Sequence, residues 1–265
     1  MNYLNKDIGN TENFTKKKHF EYSNAEPFPH IIINNLFNPN VLDDIINEFP
    51  KNIDQIGDKF NNKVEQKLTL NNTEKFSEKT NNFINFLNSN RFINFLQNIT
   101  DVKEKLIPDP DLIGGGLHEL RQRGYLNVHA DFNLHPTMKL DRRLNILIYL
   151  NKNWKEEYGG SLELWDKKMV NCEKSIIPEF NKTVIFSTTD FSYHGNPKKI
   201  NHPEEVSRKS LAMYYYSNGR PISERILGNH STIFRKRPNT NDPDGNVEFK
   251  KIIGKIYFKK KNKIL

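Results

Sequence analysis

The chain contains a single cysteine, Cys172, so no disulfide can close within it, in keeping with a reducing compartment. It also lacks any apolar run of about 20 residues, the length a membrane-crossing helix needs. Its opening stretch, Met1 to Lys18, holds no apolar segment of signal-peptide length. These absences predict a soluble, cytoplasmic protein with no membrane partner. Hydrophobic residues are sparse at 35%, yet 18 Phe and 10 Tyr supply large apolar surfaces. That balance predicts a folded core beneath a very polar exterior.

Acidic groups are scarce at the carboxyl end. The formal charge is +8, and between Ile233 and Leu265 ten Lys or Arg face three Asp or Glu, so nearly all of the excess lies there. Such a basic tail, residues 239–265, offers a contact for nucleic acid or the ribosome through counterion release, or simply a solvated end. At 265 residues the chain has room for one large β domain with helical additions. The expected division is a flexible leader over 1–25, a domain over 26–238 and the tail.

The run His30-Ile31-Ile32-Ile33 predicts a strand. Asn38-Pro39-Asn40 then opens an amphipathic helix through Val41, Leu42, Ile45, Ile46 and Phe49. A second helical region, about Ser77 to Ile99, carries a stripe of Phe83, Ile84, Phe86, Leu87, Phe92, Ile93, Phe95 and Leu96 suited to packing on a sheet. From Gly114 onward short strands alternate with turns: Leu117 to Arg121, Tyr125 to His129, Leu144 to Leu150, Ser161 to Trp165, Thr183 to Ser187 and Ser210 to Tyr216. This order predicts a mainly β fold with some α, a two-sheet jelly roll braced by helices on one sheet. Beyond residue 220 the pattern is less regular; Asn239 to Asn246 is turn-rich, and Ile252 to Phe258 fits a strand or a helix.

Chemistry concentrates in a few residues. On a strand, positions i and i+2 share a face, so His129 and Asp131 can reach one metal ion together. The spacing alone is weak, since His19-x-Glu21 and His202-x-Glu204 also occur. A facial triad needs a third ligand from a distant strand, and His194, in the turn after Val184-Ile185-Phe186, is placed to supply it. His118, His135 and His202 are competitors. Arg208 and Ser210, again two apart, are suited to holding a carboxylate.

Residues from about 114 to 220 resemble the catalytic domain of 2-oxoglutarate- and Fe(II)-dependent oxygenases of the prolyl 4-hydroxylase type. The motifs that carry the likeness are Tyr125 to Asp131, Arg143 to Asn151, Gly159-Gly160 through Trp165, His194-Gly195 and Arg208-Lys209-Ser210. Pro29 and the strand and helix after it resemble the amino-terminal extension of some members. The resemblance implies a double-stranded β-helix of the cupin-like kind. It implies iron bound by His129, Asp131 and His194, and the far carboxylate of 2-oxoglutarate held by Arg208 and Tyr149, with Ser210 assisting. Tyr125 and Asn127 would line the pocket. Dioxygen and, in some relatives, ascorbate complete the cofactors. Arg208 stands where collagen-type relatives often have Lys, which moves the likeness toward oxygen-sensing and ribosomal-protein hydroxylases.

The implied activity is hydroxylation of an unactivated C–H bond, with a prolyl residue of a protein as the leading substrate. A free amino acid, a sugar or a natural-product intermediate is the alternative within the same chemistry. A non-catalytic β-domain binding nucleic acid or carbohydrate is the alternative outside it, as is a cupin-like isomerase or a zinc protein.

Overall fold

The computed structural model describes residues 2–8, 11–203 and 206–246. The amino-terminal part runs α1 (Thr11–Ser23), β1 (His30–Asn34), α2 (Pro39–Asn47), α3 (Ile53–Ile56), β2 (Asp58–Asn61), β3 (Glu65–Leu70), α4 (Glu78–Leu87) and α5 (Asn90–Thr100). There follow β4 (Ile107–Pro108), β5 (Gly116–Leu120), β6 (Tyr125–Ala130), β7 (Asp141–Tyr149), β8 (Leu162–Trp165) and β9 (Cys172–Ile176). The last elements are β10 (Lys182–Ser187), β11 (His194–Asn196), β12 (Arg208–Ser217), β13 (Ile233–Phe234) and β14 (Gly245–Asn246).

The strands hydrogen-bond in the order β1-β10-β7-β12-β5-β3-β6-β11-β8-β9. The path folds back on itself at β3, which pairs with β5 through Leu68 to Leu70 and with β6 through Glu65 and Gln66. One sheet is therefore β1-β10-β7-β12-β5, and the facing sheet is β6-β11-β8-β9. Side chains bridge them: Tyr149, Val184 and Phe186 from the first pack with Leu162, Leu164 and Ile176 from the second. This is the expected double-stranded β-helix.

Alternation along the strands decides what faces where. On β7, Leu144, Ile146 and Ile148 point outward into the main core, as do Leu211, Met213 and Tyr215 on β12. Asn145 and Tyr149 on β7 and Arg208, Ser210 and Tyr214 on β12 occupy the opposite, inward positions. The helices cover the outer face. In α2, Asn38 caps by accepting from the Asn40 amide at 3.1 Å, Pro39 opens the first turn, and Val41, Leu42 and Ile45 are buried. The stripe over 77–99 is divided between two helices because Ser77 and Ser89 each cap one, the latter accepting from the Phe92 amide at 3.4 Å. Each fully buried Leu, Ile or Phe in this layer contributes about 1.5–3 kcal/mol.

Within the expected leader over 1–25 lies helix α1, Thr11–Ser23. Tyr22 is buried with its hydroxyl 2.6 Å from Ser187 Oγ, Phe14 stacks on Phe95, and His19 Nδ1 donates to the Ile99 carbonyl at 3.0 Å. The sequence of α1 has almost no apolar stripe, so periodicity could not mark it; packing along α5 and against β1, with the Tyr22 bond to Ser187, holds it. Strands β13 and β14 pair with each other, and the latter lies past residue 238. Residues 247–265, which include Ile252 to Phe258 and most of the basic tail, lie outside the described residues. Among the described residues no helix is long and apolar enough to cross a membrane.

Asn181 fastens the start of β10 to the helical layer. It is 1% exposed, has φ of 57°, accepts from the Phe37 amide at 3.2 Å and donates Nδ2 to the Phe37 carbonyl at 2.8 Å. Asn181→Ala strands both backbone groups and keeps a backbone angle that Ala disfavours, so it is expected to lower the unfolding free energy by about 2–4 kcal/mol. Urea denaturation of the two proteins checks this; a loss below about 0.5 kcal/mol would show that the Phe37 groups find other partners.

Candidate metal centre and cosubstrate pocket

The antiparallel pairing of β11 with β6 sets His194 opposite His129. Their ring centroids are 4.5 Å apart. In each ring Nδ1 donates to a backbone carbonyl two residues back, Asn127 O at 2.8 Å for His129 and Ser192 O at 2.9 Å for His194. Since a carbonyl can only accept, Nδ1 carries a proton in each ring, and in the neutral ring Nε2 keeps its lone pair. Both Nε2 atoms face Asp131, which follows the end of β6: His129 Nε2 is 3.5 Å from Oδ1 and His194 Nε2 is 3.4 Å from Oδ2. Ligand atoms from the three side chains all lie within 4.8 Å of one another, and among the described residues this is the one cluster of His, Cys, Asp and Glu so arranged.

Two aromatic rings pack against the imidazoles. Phe186 lies edge-on to His194 at 4.6 Å and Phe234 sits 5.4 Å from His129. Phe234 arrives on β13, which joins the edge of β6 beyond β3 with Phe234 opposite His129. The segment that delivers it is fastened at buried Asp190. Asp190 accepts from the Leu227 amide at 2.6 Å, from His230 Nε2 at 2.9 Å and from Asn133 Nδ2 at 3.2 Å, while the His230 amide donates to Asn133 Oδ1 at 3.0 Å.

Burial and the neighbouring His129 push the His194 imidazole down to about 4, against the pull of Asp131. Burial alone would raise the Asp131 carboxyl, but Arg142, His194 and His129 outweigh it and hold it well below the usual carboxylate range. The cluster thus presents two imidazoles and one carboxylate. That donor set suits a six-coordinate non-haem Fe(II) with three positions left open. The competing histidines are elsewhere: His135 faces Asp109 at 3.2 Å, His118 donates to Gly114 O at 3.1 Å, and His202 packs between Trp154 and Tyr158.

Arg208 lies deeper between the sheets, 4% exposed. Its Nε donates to Gly160 O at 2.8 Å and its Nη2 to Tyr149 Oη at 3.4 Å, and it forms no ion pair with any described residue. Burial lowers its proton affinity and raises that of Tyr149. Gly160 has φ of 68°, and a Cβ there would come within 2.9 Å of Arg208 Cδ and 2.3 Å of Ile200 Cδ1, so the Gly159-Gly160 turn is shaped to the guanidinium. Ser210 is buried opposite Tyr149 in the β12–β7 ladder. A buried cation without an anion is costly, and the donors of Arg208 and the Tyr149 hydroxyl have the chemistry to receive a carboxylate.

The other two sequence expectations stand differently. Tyr125 turns its hydroxyl outward to donate to Asn62 O at 2.8 Å, and Asn127 serves His129 through its main-chain carbonyl. Sequence reasoning gave no role to Arg142 or Asn145, both buried against the cluster. Asn145 Nδ2 donates to Asp131 Oδ2 at 2.7 Å, and Arg142 Nη2 is 3.2 Å from the same oxygen.

Comparison with known proteins agrees with this geometry. Residues 115–216 match the 2OG-Fe(II) oxygenase superfamily. Mouse prolyl 3-hydroxylase OGFOD1 is 34% identical over 82 residues, 28% of this chain and 14% of that protein, so the match spans about a seventh of the relative's length. Among solved structures, a prolyl hydroxylase from Trichoplax adhaerens in complex with a hypoxia inducible factor peptide has a TM-score of 0.56 at 15% identity, covering 84% of this chain and 96% of that one. A Pseudomonas putida prolyl-4-hydroxylase has a TM-score of 0.54 at 12% identity, covering 77% and 100%. Residues 115–216 are thus similar to the 2OG-Fe(II) oxygenase superfamily, and the fold is a double-stranded β-helix like that of the two solved prolyl hydroxylases.

Proposed function

We propose that the protein is a 2-oxoglutarate-dependent Fe(II) dioxygenase that hydroxylates a prolyl residue of a protein substrate. The observation that carries the chemistry is the joint placement of two imidazoles and one carboxylate beside a buried Arg208 that has no ion-pair partner among the described residues. Zinc would make no use of the isolated guanidinium. The prolyl substrate is supported by the names of the matched relatives, a prolyl 3-hydroxylase and two prolyl hydroxylases.

In this reading His129 and His194, through Nε2, and the Asp131 carboxylate would hold Fe(II). Arg208 and the Tyr149 hydroxyl receive the far carboxylate of 2-oxoglutarate, with Ser210 beside them. When bound, iron and 2-oxoglutarate supply with dioxygen the oxidising power for C–H hydroxylation, succinate and carbon dioxide being the co-products. Phe186, Phe234, Leu164 and Val184 keep the surroundings of the imidazoles dry. The Nδ1 bonds to Asn127 O and Ser192 O hold both rings in the tautomer that binds metal. Ascorbate would serve only to maintain reduced iron.

The activity is tested by incubating the protein with Fe(II), 2-oxoglutarate and proline-containing peptides, and following succinate release with gain of one oxygen atom on the peptide. Turnover independent of either iron or 2-oxoglutarate would refute the assignment. Asp131→Ala is expected to weaken Fe(II) binding by more than about 100-fold, beyond the loss typical for groups that only support a ligand. Arg208→Ala is expected to raise the 2-oxoglutarate dissociation constant about 10- to 100-fold with metal affinity little changed, the worth of a lost charge-assisted pair. Equilibrium titrations under anaerobic conditions measure both.

A pH dependence follows from His194. The unfolded chain takes up this proton near 6.5 and the folded protein only near about 4. Between those values the unfolded state binds more protons, so the metal-free protein loses stability as pH falls through that window. Urea midpoints at pH 7.5 and pH 5 are expected to differ more for the natural protein than for His194→Gln. Equal differences would show that His194 does not carry the effect.

A further inference from the structure

The β7–β12 ladder slips once. Leu144 pairs with Tyr215, but Arg142 pairs with Tyr216, so two steps along β7 match one along β12 and Arg143 is the extra residue of a β-bulge. Regular alternation would send Arg142 and Asn145, an odd number of positions apart, to opposite faces. The bulge brings both inward. Arg143 is turned away, 2.5 Å from Glu104 and 3.5 Å from Glu224.

Inside, Arg142 Nε and Nη2 donate to Asn145 Oδ1 at 2.9 and 2.8 Å. A guanidinium cannot accept, so the Asn145 carbonyl must face it and Nδ2 must face Asp131, where it donates to Oδ2 at 2.7 Å. Arg142 Nη2 adds a contact of 3.2 Å to the same oxygen. Its guanidinium carbon lies 3.5 Å from the ring centroid of Tyr214 and 4.6 Å from that of Phe132, and the residue is 1% exposed, so it has no room to swing aside. Both donors therefore engage Oδ2. The lone pairs of Oδ1 receive neither.

We infer that Arg142 is a positioning residue which, through Asn145, fixes Asp131 as a one-oxygen metal ligand by occupying Oδ2 and leaving only Oδ1 to bind. A carboxylate free to turn could chelate through both oxygens and take one of the three positions that the cosubstrate and oxygen need. The clamp prevents this. The inference rests on the metal site proposed above and concerns how that site keeps its open positions.

The test uses Mn(II) with the full chain, measuring affinity by electron paramagnetic resonance and exchangeable waters on the ion by proton relaxation. The natural protein is expected to leave about three waters on the ion. Asn145→Leu, which keeps size and removes the amide, is expected to weaken Mn(II) binding about 10- to 100-fold and to reduce the waters to about two. Arg142→Lys retains charge but loses the fork that orients Asn145, and is expected to shift both readouts the same way. Should Arg142→Lys fail to fold, Asn145→Leu with an unchanged metal-free melting curve decides. A folded Asn145→Leu protein with the natural affinity and water count overturns the inference while leaving the metal site standing. Weakened binding with about three waters retained also overturns it, since that is loosening without chelation. Failure of the natural protein to bind Mn(II) overturns the site and the clamp together.

Discussion

Everything at the centre of this molecule depends on one stretch of antiparallel pairing, that of β6 with β11. The register opposes His129 and His194, and the two-residue backward bond from each Nδ1 leaves both Nε2 atoms looking into the same space. A slip of one residue would send one imidazole to the outer face. The register is held from both sides: β11 also pairs with β8, while β3 and β13 divide the other edge of β6 between them. The helical layer matters to the site only indirectly, by burying the outer face of β7, β10 and β12 so that their inner face can afford polar groups.

That inner face has an electrostatic order. At one end Arg142 meets Asp131 and is neutralised by it; at the other Arg208 has no described acid near it. Two buried guanidinium groups on neighbouring strands thus differ in what they lack. Tyr149, kept protonated by burial, gives the second site a donor that can bend toward an incoming oxygen.

Much of this was legible in the residues themselves. His-x-Asp on a strand, a later histidine after a buried strand, and Arg-x-Ser on the last long strand were enough to name the cluster and its deep cation, and the alternation of β7 and β12 gave the sheets. What escaped had physical reasons. Helix α1 is held by tertiary packing on α5 and β1 and has almost no apolar stripe to betray it. Arg142 was invisible because a bulge reverses its parity relative to Asn145, and no rule of alternation anticipates an inserted residue. Tyr125 shares the parity of His129, but its hydroxyl finds Asn62 O at the surface, an outcome decided by the β2–β3 turn and not by strand phase. Phe234 comes from the irregular carboxyl-terminal stretch, whose pairing with β6 depends on the Asp190 knot.

That knot has a mechanical meaning. Asp190 lies on the approach to His194 and Asn133 on the exit from Asp131, and each bonds both to the other and to the 227–230 segment. The loop that leads into His194 and the loop that leaves Asp131 are consequently tethered into a single body by a third piece of chain that adds no side chain to the cluster. Any force on that third piece, from a docking polypeptide or from the chain beyond it, reaches both loops at once and changes the spacing of the imidazoles only if it first undoes the tether.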